Sequence, residues 1–221
     1  MEEGIFISQE VYAKELLKKF NMLNCKPVNT PMECGANLSK MKTNEEKVDS
    51  TMFKSLVGSL RYLTCIRPNI LFLVGIMSRF MEVPTESHLM AAKRILRYIR
   101  GTLDYGIFYS SSNDFKLMGY CDSDFARDID DRKSTTGYVF FMGNNVISWH
   151  SKKQPIVILS TCESEYVAAT SCTCHAIWLR RLLKEIHMEQ GDATKILIDN
   201  KLAQALAKNP VFHDCSKHID T

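Results

Sequence analysis

The stretch 119-GYCDSDFARDIDDRKSTTGYVFFMG-143 contains two apolar runs separated by a turn that is dense in aspartate. The second run is rich in aromatic and β-branched residues and the first contains Tyr120, which favours β-strands, while the polar residues between them favour a connecting loop. The first strand is therefore predicted to end on Asp122, and the other acidic residues are assigned to the loop. This pattern predicts two neighbouring strands with negative charge concentrated at one end of the first.

The residues that follow extend the same sheet. Gly143 and Asn144 mark a hairpin into a third strand at 145–150, because this dipeptide suits a tight turn. A helical region from 160 to 188 comes next, with a break predicted near 171–173, and a fourth strand at 195–199 follows it. Consecutive strands, then helices and another strand, predict a mixed α/β fold in which helices flank one β-sheet.

Composition places the chain among ordinary globular proteins. It has 221 residues, 45% of them hydrophobic and 24% charged, with a net charge of +3. No apolar run approaches the roughly 20 residues that cross a bilayer, and the acidic N-terminus lacks the features of a signal peptide. An intracellular location, cytoplasmic or nuclear, is expected. The eight cysteines are then predicted to be reduced and mostly buried.

Residues 1–110 are predicted to be mainly helical, because apolar residues recur there at helical spacing between proline and glycine stops. Ser8 is expected to cap the first helix, and the fourth helix, which Thr85 caps, ends at Gly101. This fourth helix carries four cations, at Lys93, Arg94, Arg97 and Arg100. They form either a solvated face or a row of cations that binds a phosphate backbone, and both interpretations stay open.

Two aspartates stand at the predicted C-terminal ends of strands, Asp122 and Asp199. Open α/β sheets place their sites beyond those ends, so the two carboxylates meet if their strands are neighbours. Paired carboxylates in a partly buried site require a shared proton or a cation between them. Because the candidate ligands are oxygens, with no pair of imidazoles, the sequence favours Mg²⁺ or Mn²⁺ over Zn²⁺.

The segment 160-STCESEYVAAT-170 offers two glutamates at the start of a helix. Ser160 and Glu163 form a capping-box pattern, which gives Glu163 a structural role at the helix N-terminus. Glu165 shares a helix face with the small residues Ala168 and Cys172, and that face is expected to pack on the sheet near Asp122. Glu165 is therefore the favoured third ligand.

Two other sets of polar residues are interpreted as structural and not as parts of a metal site. The aspartates after Asp122 share their turn with arginine and lysine, so they are interpreted as a solvated loop; they are Asp124, Asp128, Asp130 and Asp131. Cys172, Cys174 and His175 suggest a zinc site only superficially. Cysteines two apart on a helix point roughly 200° from each other, so they do not chelate one ion without breaking the helix.

The order and spacing of these motifs resemble the C-terminal part of the Pol polyproteins of copia-type retrotransposons. The segments that resemble the ribonuclease H domain are 119-GYCDSDFA-126, 132-RKSTTGYVFF-141, 148-SWHSKKQ-154, 160-STCESEYVAA-169, 177-IWLRRLL-183, 198-IDNKLAQALAKNP-210 and 217-KHID-220. Those that resemble the end of the reverse transcriptase are 4-GIFISQEVYAKELLKKFNM-22, 57-VGSLRYLTCIRPNI-70 and 88-HLMAAKRILRYIRGTLDYGI-107. The resemblance implies a helical thumb or connection segment over 1–110 and a ribonuclease H-like domain over 115–221.

The resemblance also implies an activity, which is hydrolysis of the RNA strand of an RNA–DNA hybrid with two Mg²⁺ or Mn²⁺ ions. The family's four acids fall on Asp122, Glu165, Asp199 and Asp220. His213 and His218 match the family pattern around the last acid, where His213 would assist product release or proton transfer or lie on the surface. Lys152, Lys153 and Gln154 are interpreted either as phosphate contacts or as a solvated turn.

Departures from the family pattern limit these expectations. The polymerase palm and fingers would precede residue 1, so no polymerase activity is expected from this chain, and those parts of the polyprotein are expected partners. The chain ends one residue after Asp220, where the family continues into a helix. The alternative to a working nuclease is an inactive retroelement relic that only binds nucleic acid through its basic helical region.

Overall fold

The computed structural model describes residues 3–33, 35, 38–40, 45–111 and 114–208. These residues form helices and two β-sheets, which confirms the predicted mixed α/β class. They divide into two compact units. We call Ile5–Phe108 the helical unit, and residues 3–4 together with 109–208 the sheet unit. None of the described helices combines the length and apolar character that a membrane span requires.

The helical unit is built from four α-helices and one 3-10 turn within its described residues. Their bounds are α1 Glu10–Lys19, α2 Ser50–Leu63, the 3-10 turn Pro68–Ile70, α3 Leu71–Ser78 and α4 Glu86–Arg100. The buried apolar residues of these helices recur at helical spacing and form one inward face on each helix. The largest fully buried side chains of this core include Phe53, Leu56, Leu60, Met77, Leu96 and Ile99.

The start of the helical unit differs from the prediction. Ser8 does not cap α1, because it is the last residue of a strand, β1 Gly4–Ser8, and Gln9 stands at the N-cap without a side-chain hydrogen bond. β1 pairs with β2 Gly106–Ser110 in a two-stranded sheet. Neither strand was predicted, because their pairing joins residues about a hundred positions apart.

The sheet unit has a four-stranded sheet in the order β5-β4-β3-β6. The strands are β3 Leu117–Asp124, β4 Thr135–Met142, β5 Asn145–Lys153 and β6 Lys195–Leu197, and the helices are α5 Thr161–Glu185 and α6 Lys201–Lys208. β3, β4 and β5 form the predicted antiparallel meander, whereas β6 runs parallel to β3. The parallel pairing brings the C-terminal ends of β3 and β6 to the same edge of the sheet.

α5 packs on the sheet through a stripe of small and apolar residues, and this stripe makes the core of the sheet unit. Its members on α5 are Ala168, Cys172, Ala176, Leu179 and Leu183, which face Leu117, Cys121, Tyr138 and Phe140 on the sheet. The predicted break near 171–173 is wrong. The hydroxyl of Thr173 donates to the carbonyl oxygen of Ala169 at 2.8 Å, so it is satisfied within the helix and does not interrupt it.

The hairpin between β4 and β5 requires glycine at Gly143. Its φ angle is +57°, and a methyl group there would collide with the carbonyl oxygen of Asp114. We expect Gly143→Ala to lower the free energy of unfolding by at least about 1–2 kcal/mol, which is the cost of the left-handed conformation alone. Urea unfolding measures this. Gly191→Ala is the matched control, because a methyl group at Gly191 meets nothing within 4 Å; equal losses in both variants would contradict the prediction.

Candidate metal centre

Three carboxylates meet at the edge of the sheet where β3 and β6 end. Asp122 lies near the end of β3, Glu165 in the first turns of α5, and Asp199 two residues after β6. One oxygen from each side chain lies within 4.8 Å of the other two. Within the described ranges, no other three acidic, histidine or cysteine side chains are grouped in this way. The sequence predicted these three residues, and the structure brings them together.

A single backbone N–H group links two of the carboxylates. The amide of Ser123 donates to Asp122 Oδ1 at 2.7 Å and to Glu165 Oε1 at 3.1 Å. One shared donor orients both side chains but neutralises little of their negative charge, since an ionised carboxylate accepts several hydrogen bonds. The pair therefore has room for a positive partner.

Glu165 is the buried member of the group. Its side chain is only 6% exposed. Burial, together with the charges of Asp122 and Asp199, raises the pKa of Glu165 to about 7, although the Ser123 N–H group acts in the opposite direction. Its second oxygen, Oε2, is buried and has no hydrogen-bond partner among the described residues.

These features fit a divalent cation. A buried carboxylate oxygen without a donor is costly unless something positive approaches it. Oxygen ligands alone suit the hard cations Mg²⁺ and Mn²⁺. Asp122, Glu165 and Asp199 are therefore able to hold such an ion, whose charge would offset both the burial of Glu165 and the repulsion between the three carboxylates.

Glu163 has the separate role that its position indicates. Its backbone N–H donates to Ser160 Oγ at 3.2 Å, and its Oε2 accepts from the backbone N–H of Leu159 at 3.3 Å. The side chain therefore closes the N-terminus of α5 and does not join the carboxylate group. The choice of Glu165 over Glu163 agrees with this geometry.

The loop between β3 and β4 is held by side-chain hydrogen bonds and ion pairs, in contrast to the predicted solvated turn. The Asp128 side chain is only 8% exposed and accepts from the backbone N–H groups of Asp130 and Asp131. Lys153 Nζ lies 2.7 Å from a carboxylate oxygen of Asp128 and 2.7 Å from one of Asp131. A phosphate would have to compete with two carboxylates for Lys153.

Lys152 and Gln154, which were predicted with Lys153 to contact phosphate or to form a solvated turn, differ in their exposure to solvent. Lys152 is exposed near the end of β5. Gln154 is 3% exposed, so neither a phosphate contact nor a solvated turn describes it. Sequence inspection missed this burial because glutamine is most often found on protein surfaces. Of these three polar side chains at the end of β5, Lys152 is therefore exposed, Lys153 is paired with two carboxylates and Gln154 is buried.

In the helical unit, arginines of the predicted phosphate-binding row on α4 form hydrogen bonds within the protein. Lys93 and the three arginines of α4 are all half-buried. The arginines bond to a segment that precedes α2: Arg94 to Glu33 and Thr30, Arg97 to the carbonyl of Lys26, and Arg100 to the carbonyl of Leu23. They therefore tie residues 23–33 to α4. Binding of a phosphate backbone by Lys93, Arg94, Arg97 and Arg100 stays a prediction.

Some predictions fall elsewhere. Asp220, His213 and His218 lie outside the described residues. Cys172 is buried and Cys174 is exposed on the continuous helix α5, which agrees with the rejection of a zinc site. The six described cysteines are free, but only Cys121 and Cys172 are buried, so the expectation of mostly buried thiols is wrong for the described residues.

The fold and its acidic site define the class of this protein. It is a mixed α/β protein with a group of carboxylates suited to a divalent cation. Comparison with known proteins then gives the family. The chain is 42% identical over 216 residues to the retrovirus-related Pol polyprotein from transposon RE1 of Arabidopsis thaliana, and 44% identical over 222 residues to that from transposon TNT 1-94 of Nicotiana tabacum. Both alignments cover 98% of this chain. The chain belongs to the family of copia-type retrotransposon Pol polyproteins.

The chain spans only 15% and 17% of the length of these two relatives. A shorter relative, an uncharacterized mitochondrial protein of Arabidopsis thaliana, is 38% identical over 175 residues, which cover 79% of this chain and 72% of that protein. No family model matches the chain, and no solved structure matches it significantly.

Proposed function

We propose that the sheet unit is a ribonuclease H domain, which cuts the RNA strand of RNA–DNA hybrids by metal-dependent hydrolysis during reverse transcription. The observation that carries this proposal is the group of Asp122, Glu165 and Asp199 at one edge of a mixed sheet. The helical unit is proposed to be the C-terminal part of the adjoining reverse transcriptase. The proposed place of action is inside the cell, in a virus-like particle or the nucleus.

The geometry supports the roles proposed for the described residues. Asp122, Glu165 and Asp199 would hold the divalent ions, and the Ser123 N–H group keeps the first two side chains oriented. Bound divalent cations supply two things in such hydrolysis, activation of a water molecule and stabilisation of the leaving oxygen. Since the pKa of Glu165 is about 7 without metal, cation binding near neutral pH requires Glu165 to release its proton. Asp220 is the proposed fourth ligand.

Recognition of the hybrid is proposed to depend on backbone contacts. Proteins distinguish such duplexes by groove shape and by the 2′-hydroxyl groups of the RNA strand, not by base edges in a deep major groove. Lys152 is the exposed cation nearest in sequence to Gln154 and the end of β5, so it is the proposed phosphate contact of the sheet unit. Its contribution is expected to weaken as salt is raised.

The test is cleavage of three matched substrates with the same sequence: an RNA–DNA hybrid, a DNA duplex and an RNA duplex, each labelled on one strand. With Mg²⁺ or Mn²⁺ we expect cleavage of the RNA strand of the hybrid and of neither homoduplex, and no cleavage in EDTA. A folded chain that binds the hybrid without cutting it in either metal would contradict the nuclease and favour a protein that only binds nucleic acid.

A further inference from the structure

A polar contact network next to the carboxylate group centres on Gln154. This residue directly follows β5, and its backbone N–H donates to the carbonyl of Ser134 at 2.8 Å. Its side-chain Nε2 donates to the backbone carbonyl of Ser164 at 3.0 Å and to Thr136 Oγ1 at 3.1 Å, and it approaches Ser123 Oγ at 3.4 Å. One amide group therefore joins β3, β4 and α5.

The orientation of this amide is determined by its partners. A backbone carbonyl only accepts hydrogen bonds, so the NH₂ group, and not the amide oxygen, must face Ser164. The opposite atom, Oε1, is buried and has no hydrogen-bond partner among the described residues. Burying an unpaired acceptor is unfavourable, so this orientation of the amide lowers the stability of the fold while it retains the hydrogen bonds to Ser164 and Thr136.

The same contacts lead directly to the ligands. Ser164 immediately precedes Glu165, and its hydroxyl contacts the hydroxyl of Ser123. Ser123 in turn donates its backbone N–H to Asp122 and to Glu165. Ser164 is completely buried, so it has little freedom to shift while Gln154 holds its carbonyl. Gln154 therefore links α5 to β3 and β4 at the point where the two carboxylates meet.

We propose that Gln154 is a positioning residue that sets the spacing of Asp122 and Glu165 for a divalent cation. The inference rests on the proposed function, since it assigns a role toward the ion that this function requires. Partners that orient ligands without touching the metal typically change metal affinity by about 10- to 100-fold when they are replaced. A displacement of a ligand by about 1 Å is enough for such an effect.

The test compares Gln154→Met with Gln190→Met in the full chain. Methionine is close to glutamine in size but donates no hydrogen bond. Gln190 is the matched control because it bonds the other end of β3: its Oε1 accepts from Leu117 N–H at 2.9 Å and its Nε2 donates to the carbonyl of Phe115 at 3.0 Å. Both variants are expected to lower Tm.

The decisive readout is Mn²⁺ affinity, measured without nucleic acid by the loss of the free-ion electron paramagnetic resonance signal. Gln154→Met is expected to weaken Mn²⁺ binding by about tenfold or more, whereas Gln190→Met stays within about twofold of the wild type. Ser164→Ala, which removes only the hydroxyl that contacts Ser123, is expected to weaken Mn²⁺ binding in the same direction and provides the test if Gln154→Met does not fold.

The outcomes separate the two proposals. If Gln154→Met and Ser164→Ala bind Mn²⁺ as tightly as the wild type, the role of Gln154 is refuted while the metal site stands. An equal weakening in Gln190→Met also refutes it, because a general loss of stability then explains the effect. If the wild type does not bind Mn²⁺, or if Asp122→Asn binds it as tightly as the wild type, the proposed function and this inference are both overturned.

Discussion

Replacing Glu165 with glutamine is expected to stabilise the metal-free protein at pH 8 while removing a ligand of the divalent cation. Burial and the charges of Asp122 and Asp199 raise the pKa of Glu165 from 4.5 to about 7 in the folded protein. Between these values the folded state binds a proton that the unfolded state has released, so stability falls as pH rises through this window. The shift corresponds to at most about 3 kcal/mol above pH 7, because solvent screens part of the repulsion from the two exposed aspartates. Glutamine avoids this cost because it carries no charge.

The measurement is chemical unfolding in EDTA at pH 8 and again near pH 4.5. The gain from Glu165→Gln should be largest at pH 8 and nearly absent near pH 4.5, where the wild-type side chain is protonated in the folded state. Glu163→Gln is the control two residues away, whose side chain accepts from Leu159 N–H at the helix end. A gain from Glu165→Gln that is independent of pH would contradict the electrostatic explanation.

Asp199→Asn is expected to lower Mg²⁺ affinity and cleavage of the hybrid by at least about 100-fold, with little change in stability. Residues that only support metal ligands lower metal affinity or activity by about 10- to 100-fold when they are replaced, and loss of a direct ligand should lower both by at least as much. Asp199 is exposed and follows β6, so its replacement leaves no buried group unpaired and should lower the free energy of unfolding by less than about 0.5 kcal/mol. Removal of its charge also relieves part of the repulsion on Glu165.

The appropriate control for Asp199→Asn is Asp192→Asn. Asp192 is another exposed aspartate of the sheet unit, and its carboxylate lies 3.7 Å from Lys116 Nζ, away from the carboxylate group. Magnesium titrations of the cleavage rate give affinity and maximal rate together, and thermal unfolding gives stability. Activity retained in Asp199→Asn, or lost equally in Asp192→Asn, would show that Asp199 is not a ligand.

Local sequence patterns were sufficient for most of the sheet unit. The alternation of apolar residues and the Gly143-Asn144 turn indicated the meander, and small residues every three to four positions indicated the face of α5 that packs on it. What they did not indicate was the pairing of β1 with β2. Strand pairing between distant segments depends on tertiary contacts, which a short window of sequence does not contain.

The carboxylate group was predictable for a related reason. Asp122 and Asp199 each stand where a strand ends, and the parallel alignment of β6 with β3 brings those ends together. Gln154 was not predictable, because its burial depends on three partners from different elements. The ion pairs of Lys153 with Asp128 and Asp131 were not predictable for the same reason, since they cross from β5 to the loop after β3.

The central claim is that the carboxylate group cuts RNA in a hybrid, and one experiment tests it most directly. Wild type, Asp122→Asn and Asp192→Asn, purified identically and shown to be folded, are incubated with a hybrid labelled on its RNA strand and Mg²⁺. We predict that the wild type and Asp192→Asn shorten the RNA and that Asp122→Asn leaves it intact. Equal cleavage by Asp122→Asn, or none by the folded wild type, would contradict the account.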